Sequence, residues 1–80
     1  MIVTHEIRVC GLCPVNGERD FYDVTITTMK VIKVETIIEL VDAIVWPVFQ
    51  EEMTQMLADV LKCRVRSVGY HSGVKTTCEV

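Results

Sequence analysis

The sequence predicts an α+β fold in which a single antiparallel sheet carries two helices on one face. Near both ends of the chain, apolar residues alternate with polar ones as in half-buried strands, and in the middle they recur every three or four positions as in amphipathic helices. The resulting order is strand, strand, helix, helix, strand, strand, with no repeat, linker or low-complexity segment. Residues 1–80 are therefore expected to form one domain.

Two strands are predicted before the helices. The first runs from Val3 to Val9, with His5 on its apolar side as a partly buried strand histidine. The glycines, proline and asparagine between positions 11 and 17 indicate an irregular loop. The second strand is predicted from Phe21 to about Lys33, and one of its faces contains Tyr22, Val24 and Ile26.

The helices and the last two strands follow. Apolar residues from Val34 to Val45 recur at helical spacing, and Pro47 suits the first turn of a second helix. The last strands are predicted at 63–70 and 74–80, joined through His71-Ser72-Gly73. The apolar face of the second helix is expected to contain Phe49, Met53, Met56, Leu57, Val60 and Leu61.

Composition narrows the class of protein. Half of the 80 residues are hydrophobic, and so short a chain buries only about 60% of its unfolded surface, so a homo-oligomer is expected. The net charge of −3 argues against a strongly basic nucleic-acid module. The chain shows neither a run of about 18 apolar residues nor the pattern of a signal peptide, so a cytoplasmic protein without membrane contact is expected.

Cys10 and Cys13 allow three interpretations. They have the spacing of a zinc knuckle, which would need Cys63 and Cys78 as its second pair although these belong to different strands. They also resemble a thiol–disulfide pair, although Pro14 predicts a loop where such pairs open a helix. In the third interpretation Cys13 alone is a nucleophile, with the Asp20 carboxylate seven residues further on as its proton-transfer partner.

A family resemblance favours the third interpretation. Cys13-Pro-Val-Asn-Gly-Glu-Arg-Asp20-Phe resembles the loop Cys-Pro-x-Thr-Gly-x-x-Asp-Phe or Trp of the QueF family, the 7-cyano-7-deazaguanine nitrile reductases. Val34-Glu35 and Phe49-Gln50-Glu51 are similar to that family's Val-Glu and Phe-His-Glu. The resemblance covers the chain from about Cys13 to its end. It implies a tunnelling fold that assembles into a ring-like oligomer with sites at subunit interfaces.

The resemblance also implies roles for individual residues. Cys13 would add to the nitrile carbon to form a covalent thioimidate, with Asp20 as general acid and base. Glu51, or else Glu35, would hold the guanine-like edge of the base. Gln50 stands where the family has histidine and cannot shuttle protons. His71 is a candidate to replace that function, the alternative being a surface histidine at a strand end.

Two departures from the reductases decide which reaction is expected. The stretch 35–40 has no serine or lysine to contact NADPH, and the stretch 70–74 has no arginine. In both respects the chain resembles the QueF-like amidinotransferases of archaeosine synthesis, which use ammonia to convert the nitrile into an amidine. Ammonia is therefore expected as co-substrate, without NADPH and without a metal. The alternatives are an NADPH-dependent nitrile reductase and a non-catalytic zinc-binding or base-binding module.

Four basic residues are candidates for contact with nucleic acid. Arg64 and Arg66 alternate on a strand and share one face, and Lys62 and Lys75 lie nearby in the sequence. They would meet a phosphate backbone if the 7-cyano-7-deazaguanine base lies within tRNA or modified DNA. A solvated charged face is the other interpretation.

Overall fold

The structure, a computed structural model, describes all residues from Met1 to Val80 and has the predicted order of elements. Two helices, α1 (Val34–Asp42) and α2 (Gln50–Leu61), separate two β-hairpins along the chain. The four strands form one antiparallel sheet in chain order, which confirms the predicted α+β class. They are β1 (Val3–Leu12), β2 (Arg19–Thr28), β3 (Arg64–His71) and β4 (Val74–Glu79).

The core lies between one face of the sheet and the helices. On the predicted inner face of β2, the side chains of Tyr22, Val24 and Ile26 are at most 1% exposed. On the opposite face of the sheet the large side chains of Phe21 and Tyr70 are exposed. Twelve hydrophobic residues form the buried cluster: Val9, Tyr22, Val24, Ile26, Ile37, Ile44, Val48, Met53, Leu57, Ala58, Leu61 and Val65.

The strand boundaries differ from the prediction at several places. β1 continues past Val9 because Gly11 and Leu12, which were expected in the loop, still pair with β2. β2 ends at Thr28 rather than near Lys33, since the Thr28 hydroxyl accepts a hydrogen bond from the Lys30 N–H (3.1 Å) and turns the chain away from the sheet. β3 and β4 differ from their predicted bounds by only one residue at each shifted end.

The helix boundaries also differ from the prediction. α1 ends at Asp42, and of the two apolar residues after it Ile44 is buried and Val45 is exposed. Pro47 is not in a helix but pairs with Leu12 at the end of β1, where the Val48 N–H donates to the Leu12 carbonyl (3.0 Å). Neither helix is long and apolar enough to cross a membrane.

The buried face of α2 is more polar than predicted. Met53, Leu57 and Leu61 are buried as expected, but Phe49 and Val60 are about half exposed. The interior positions go instead to Gln50, Thr54 and Ala58, all of which are buried. A polar corner of the core therefore forms where α2 begins.

Candidate active site

A cleft of about 480 Å³ opens where three segments meet: the β1–β2 loop, the start of α2 and the β3–β4 turn. Its volume lies within the range of about 300–1,000 Å³ typical of small-molecule sites. The lining residues are Cys13, Pro14, Val15, Asn16, Glu18, Asp20, Tyr22, Val48, Phe49, Gln50, Glu51, His71, Ser72 and Thr76.

The β1–β2 loop is held by its own hydrogen bonds. The Cys13 N–H donates to the Glu18 carbonyl (2.8 Å), and the Gly17 N–H donates to the Cys13 carbonyl (2.9 Å). Gly17 has a φ of +72°, a left-handed conformation that glycine adopts without steric cost. The loop is thus a defined turn that places Cys13, half-buried, on the wall of the cleft.

Asp20 enters the cleft from the inner face of β2, two residues before the buried Tyr22. The Tyr22 hydroxyl donates to Asp20 Oδ2 at 3.4 Å. A Cβ on Gly69, which lies opposite Tyr22 on β3, would overlap the tyrosine ring, so this glycine makes room for it. Burial raises the pKa of Tyr22 well above its ordinary value, and the charge of Asp20 and the hydrogen bond to it add to the effect. The phenol therefore remains a hydrogen-bond donor to the carboxylate.

His71, at the end of β3, belongs to the cleft and is not the surface histidine that was one of the two interpretations. Its Nδ1 lies 3.6 Å from Asp20 Oδ2, an ion-pair separation, and its Nε2 lies 2.8 Å from Gln50 Oε1. The ring is tilted against Tyr22 with 5.8 Å between centroids. The structure thus brings an imidazole and a carboxylate together in the cleft that Cys13 also lines.

The first two residues of α2 have different surroundings. Gln50 is 1% exposed, whereas Glu51 is exposed and lines the cleft. Glu51 also lies in the first turn of α2, where the helix dipole favours a negative charge. Glu35 is exposed in the first turn of α1 and does not line the cleft. Of the two candidates for the guanine-like edge, only Glu51 is at this site.

Cys63 offers an internal comparison for Cys13. It lines a larger hollow of about 590 Å³ at the opposite end of β2, which has Lys30, Lys62 and Arg64 in its wall but no carboxylate or imidazole. Burial raises the pKa of the Cys63 thiol, although Lys30 partly offsets this. The volume alone would favour this hollow. Of the two, however, only the cleft around Cys13 contains carboxylates and an imidazole.

The remaining cysteines do not assemble with Cys13 into a metal centre. Cys10 is exposed and pairs with Phe21 on the open face of the sheet, while Cys78 pairs with Ser67 on β3. All four cysteines are free thiols, and no group of three or more histidine, cysteine or acidic side chains is placed to hold a metal ion.

The four basic residues are distributed over the open sheet face and one end of it. Arg64 and Arg66 are exposed on that face, and Arg66 forms an ion pair with Glu79 (3.3 Å). Lys75 is on the same face opposite Tyr70, six residues or about 20 Å along β3 from Arg64. Lys62 ends α2 in a left-handed conformation (φ 55°). Only Arg64, Arg66 and Lys75 therefore lie along the sheet, and none of the four basic residues lines the cleft of Cys13.

The arrangement suits addition of a thiol to an electron-poor carbon. Cys13 supplies the sulfur, Asp20 and His71 supply groups that can hold or release a proton, and Glu51 supplies an acceptor for N–H groups. Sequence reasoning missed Tyr22, which was assigned only to the core, and missed Ser67 and Thr76, which contact Gln50. The only signal for Tyr22 was that Gly69 faces it on the neighbouring strand and leaves space for its ring. That signal can be recognised only once the register of the strands is known.

Comparison with known proteins adds evidence on the fold. No family model and no curated protein matches the sequence. Among solved structures, the chain is similar to a crystal structure of the archaeosine synthase QueF-Like in the apo form, with a TM-score of 0.91. The match covers 99% of this chain and 90% of that chain, with 20% of residues identical. The chain therefore has the fold of that archaeosine synthase, which confirms the predicted tunnelling fold.

Proposed function

We propose that this chain is a QueF-like enzyme that converts the nitrile of a 7-cyano-7-deazaguanine base into an amidine, with ammonia as co-substrate. The observation that carries the proposal is the single cleft lined by Cys13 and by the paired Asp20 and His71, on the fold of an archaeosine synthase. The resemblance of the loop from Cys13 to Phe21 to the QueF family supports it independently of the fold.

The chemistry takes two additions. In the first, the Cys13 sulfur bonds to the nitrile carbon and the thiol proton goes to the nitrile nitrogen, giving a thioimidate. In the second, ammonia adds to the same carbon, the carbon–sulfur bond breaks, and the sulfur leaves as a thiolate that regains a proton. The sum is nitrile plus ammonia giving amidine, with no oxidation or reduction. Asp20 is the group that moves the protons in both steps.

Recognition of the base is assigned to Glu51. Its carboxylate can accept two parallel hydrogen bonds from a ring N–H and an exocyclic amine, the edge that a 7-deazaguanine presents. Val48 and Phe49 provide apolar surface in the same cleft for the flat ring. Glu35, which lies elsewhere on the subunit, is not needed for this arrangement.

A nucleic acid is proposed as the carrier of the base. Arg64, Arg66 and Lys75 on the open sheet face, with Lys62 at the end of α2, would supply the positive charge for phosphates, and repetition in a homo-oligomer would extend this surface. The carrier would be tRNA or modified DNA. Ammonia is preferred to NADPH because two features of the reductases that the family resemblance links to the cofactor are missing: segment 35–40 has no serine or lysine, and segment 70–74 has no arginine.

The first step is tested by intact mass spectrometry after the protein is mixed with 7-cyano-7-deazaguanine. We expect the mass of the chain to increase by that of one nitrile compound, because the addition releases nothing. Cys13→Ala should form no adduct, whereas Cys63→Ala, which removes the other half-buried thiol beside a cleft, should form it at the normal rate. An adduct that persists in Cys13→Ala contradicts the proposal.

The second step is tested on the isolated adduct. Ammonium should discharge it and release the amidine, while NADPH should leave it unchanged. Discharge by NADPH alone, with release of an amine, would instead identify a reductase. Stoichiometric zinc in the purified protein, together with no adduct, would support the non-catalytic alternative.

A further inference from the structure

Gln50 has a buried hydrogen-bond environment in which the direction of every bond can be assigned. Its side-chain amide nitrogen lies 3.2 Å from the Ser67 carbonyl, 3.1 Å from the Ser67 hydroxyl and 3.0 Å from the Thr76 carbonyl. Carbonyl oxygens only accept, so the group that faces them must be the NH₂. A reversed amide would set its own oxygen against two backbone carbonyls.

The hydroxyls around Gln50 are assigned in the same way. Thr54 Oγ1 donates its only proton to the backbone carbonyl of Gln50 at 2.7 Å. At the 2.6 Å contact between Thr54 and Ser67 the Ser67 hydroxyl must therefore be the donor, which leaves its oxygen free to accept from Gln50. All three side chains are at most 1% exposed, so the network is shielded from bulk solvent and these bonds together define one arrangement of protons.

The network leaves the Gln50 oxygen facing His71. Because that oxygen can only accept, His71 Nε2 must carry a hydrogen and donate it across the 2.8 Å contact. The other ring nitrogen, Nδ1, is then the one directed at Asp20 Oδ2 at 3.6 Å. A proton on either Nδ1 or the carboxyl would prevent two acceptors from facing each other there, so the pair is a place where one proton can be held.

We propose that Gln50 is a positioning residue which fixes His71 with its hydrogen on Nε2, so that His71 and Asp20 together hold one mobile proton for the addition to the nitrile. The pair is neutral overall, whether the proton is on the carboxyl or on the imidazole. It can give that proton to the nitrile nitrogen while it accepts the proton of the Cys13 thiol, which balances the first step. The inference rests on the proposed function and extends it to a residue that itself has no proton to transfer.

The titratable groups that face His71 come from several elements. Asp20 and Tyr22 lie on β2, Cys13 and Glu18 in the β1–β2 loop, and Glu51 on α2. Tyr22 already donates to the Asp20 oxygen that faces the ring. Because the Tyr22 proton is retained by the phenol, it does not replace the one shared by Asp20 and His71.

The position of the ring is tested without substrate, by a ¹H–¹⁵N spectrum of the imidazole groups. A hydrogen bonded to a buried amide oxygen exchanges slowly, so the free protein should show a resonance for His71 Nε2–H. The chain has only two histidines, and the variant His5→Gln assigns the signal. The signal should vanish in Gln50→Met and remain in Thr54→Val, which disturbs the same network without touching the ring. Its absence from the wild type, or its survival in Gln50→Met, would overturn the proposal.

The role in proton transfer is tested by comparing two reactions of Cys13. Addition to the nitrile needs a proton on the new nitrogen, whereas alkylation by iodoacetamide does not. Gln50→Met should slow nitrile addition by roughly tenfold or more relative to alkylation, and Thr54→Val should leave that ratio unchanged within about threefold. An unchanged ratio in Gln50→Met contradicts the positioning role, since a general loss of structure slows both reactions. If the wild type forms no nitrile adduct, the proposed function fails, and the imidazole spectrum still decides whether Gln50 fixes the ring.

Discussion

Tyr22 connects the hydrophobic core to the candidate site. Its side chain is 1% exposed, yet its hydroxyl reaches Asp20 at the wall of the cleft. The space for its ring comes from Gly69 on the neighbouring strand. Since the pKa of the phenol is raised by burial first and by Asp20 second, this oxygen keeps its proton at neutral and mildly alkaline pH.

The raised pKa of Tyr22 predicts a loss of stability in alkali. The unfolded chain releases the phenol proton from about pH 10, before the folded chain does, so the unfolded state then binds fewer protons and the free energy of unfolding falls as pH rises. The slope from this group approaches about 1.4 kcal/mol per pH unit. Urea unfolding between about pH 8 and pH 11 should show a shallower fall in Tyr22→Phe than in the wild type, and the slope that remains includes the half-buried Cys63 thiol, whose pKa is also raised.

The second tyrosine provides the control for that experiment. Tyr70 is 64% exposed on the open sheet face, and the chain has no tyrosine other than Tyr22 and Tyr70. In Tyr70→Phe, an absorbance titration should retain a late phenol ionisation that coincides with unfolding. If Tyr22→Phe retains that late step instead, the assignment to Tyr22 is wrong.

The β3–β4 turn is the element that presents His71 to the cleft. Its two central residues, Ser72 and Gly73, both have positive φ angles, 50° and 84°. That combination is typical of a type I′ hairpin turn, whose twist matches the flanking strands and for which Asn-Gly is the preferred pair. Serine at the first position is therefore a strained choice directly beside a proposed functional histidine.

Substitutions at Ser72 should move stability in opposite directions. Asparagine tolerates the left-handed conformation, so Ser72→Asn should raise the free energy of unfolding by about 0.5–1 kcal/mol. A β-branched side chain is poorly accommodated there, so Ser72→Val should lower it by about 1–2 kcal/mol. Urea unfolding at one fixed protein concentration measures both, and equal stability of the two variants would contradict the turn assignment.

The same elements show what could be read from the sequence. Alternation identified all four strands, and the loop from Cys13 to Asp20 was recognised because its residues are close together along the chain. The burial of Gln50 was not predictable, because its partners Ser67 and Thr76 are 17 and 26 residues away and meet it only after β3 and β4 pair. The role of His71 was unresolved for the same reason, since its contacts to Gln50 and Asp20 cross between three elements.

At the scale of the whole molecule, much apolar surface remains uncovered. Only 18 of the 80 residues are buried, while large hydrophobic residues such as Trp46, Phe49 and Val60 are about half exposed. The sheet also has two open edges, β1 and β4, and exposed edges readily pair with another chain. Both features favour a homo-oligomer joined through the edges of its sheets.

Pairing between subunits through the β4 edge can be tested with a single substitution. Val65 and Val80 exchange both backbone hydrogen bonds (3.1 and 2.9 Å), and in an antiparallel ladder such pairs alternate, so the N–H of Thr77 on β4 points away from β3. Thr77→Pro removes this outward donor without breaking a β3–β4 bond, and proline is tolerated on edge strands in that orientation. Thr77→Val keeps the donor and is the matched control.

Sedimentation at matched protein concentration should give a multiple of the 9.1 kDa chain for the wild type and Thr77→Val, and a smaller species for Thr77→Pro. A circular dichroism spectrum establishes that the proline variant remains folded. The thermal midpoint of the wild type should also rise with protein concentration, because dissociation accompanies unfolding in an oligomer. A wild-type protein that sediments as a single chain, with a midpoint independent of concentration, would show that the exposed apolar residues and open edges are not covered by a second copy.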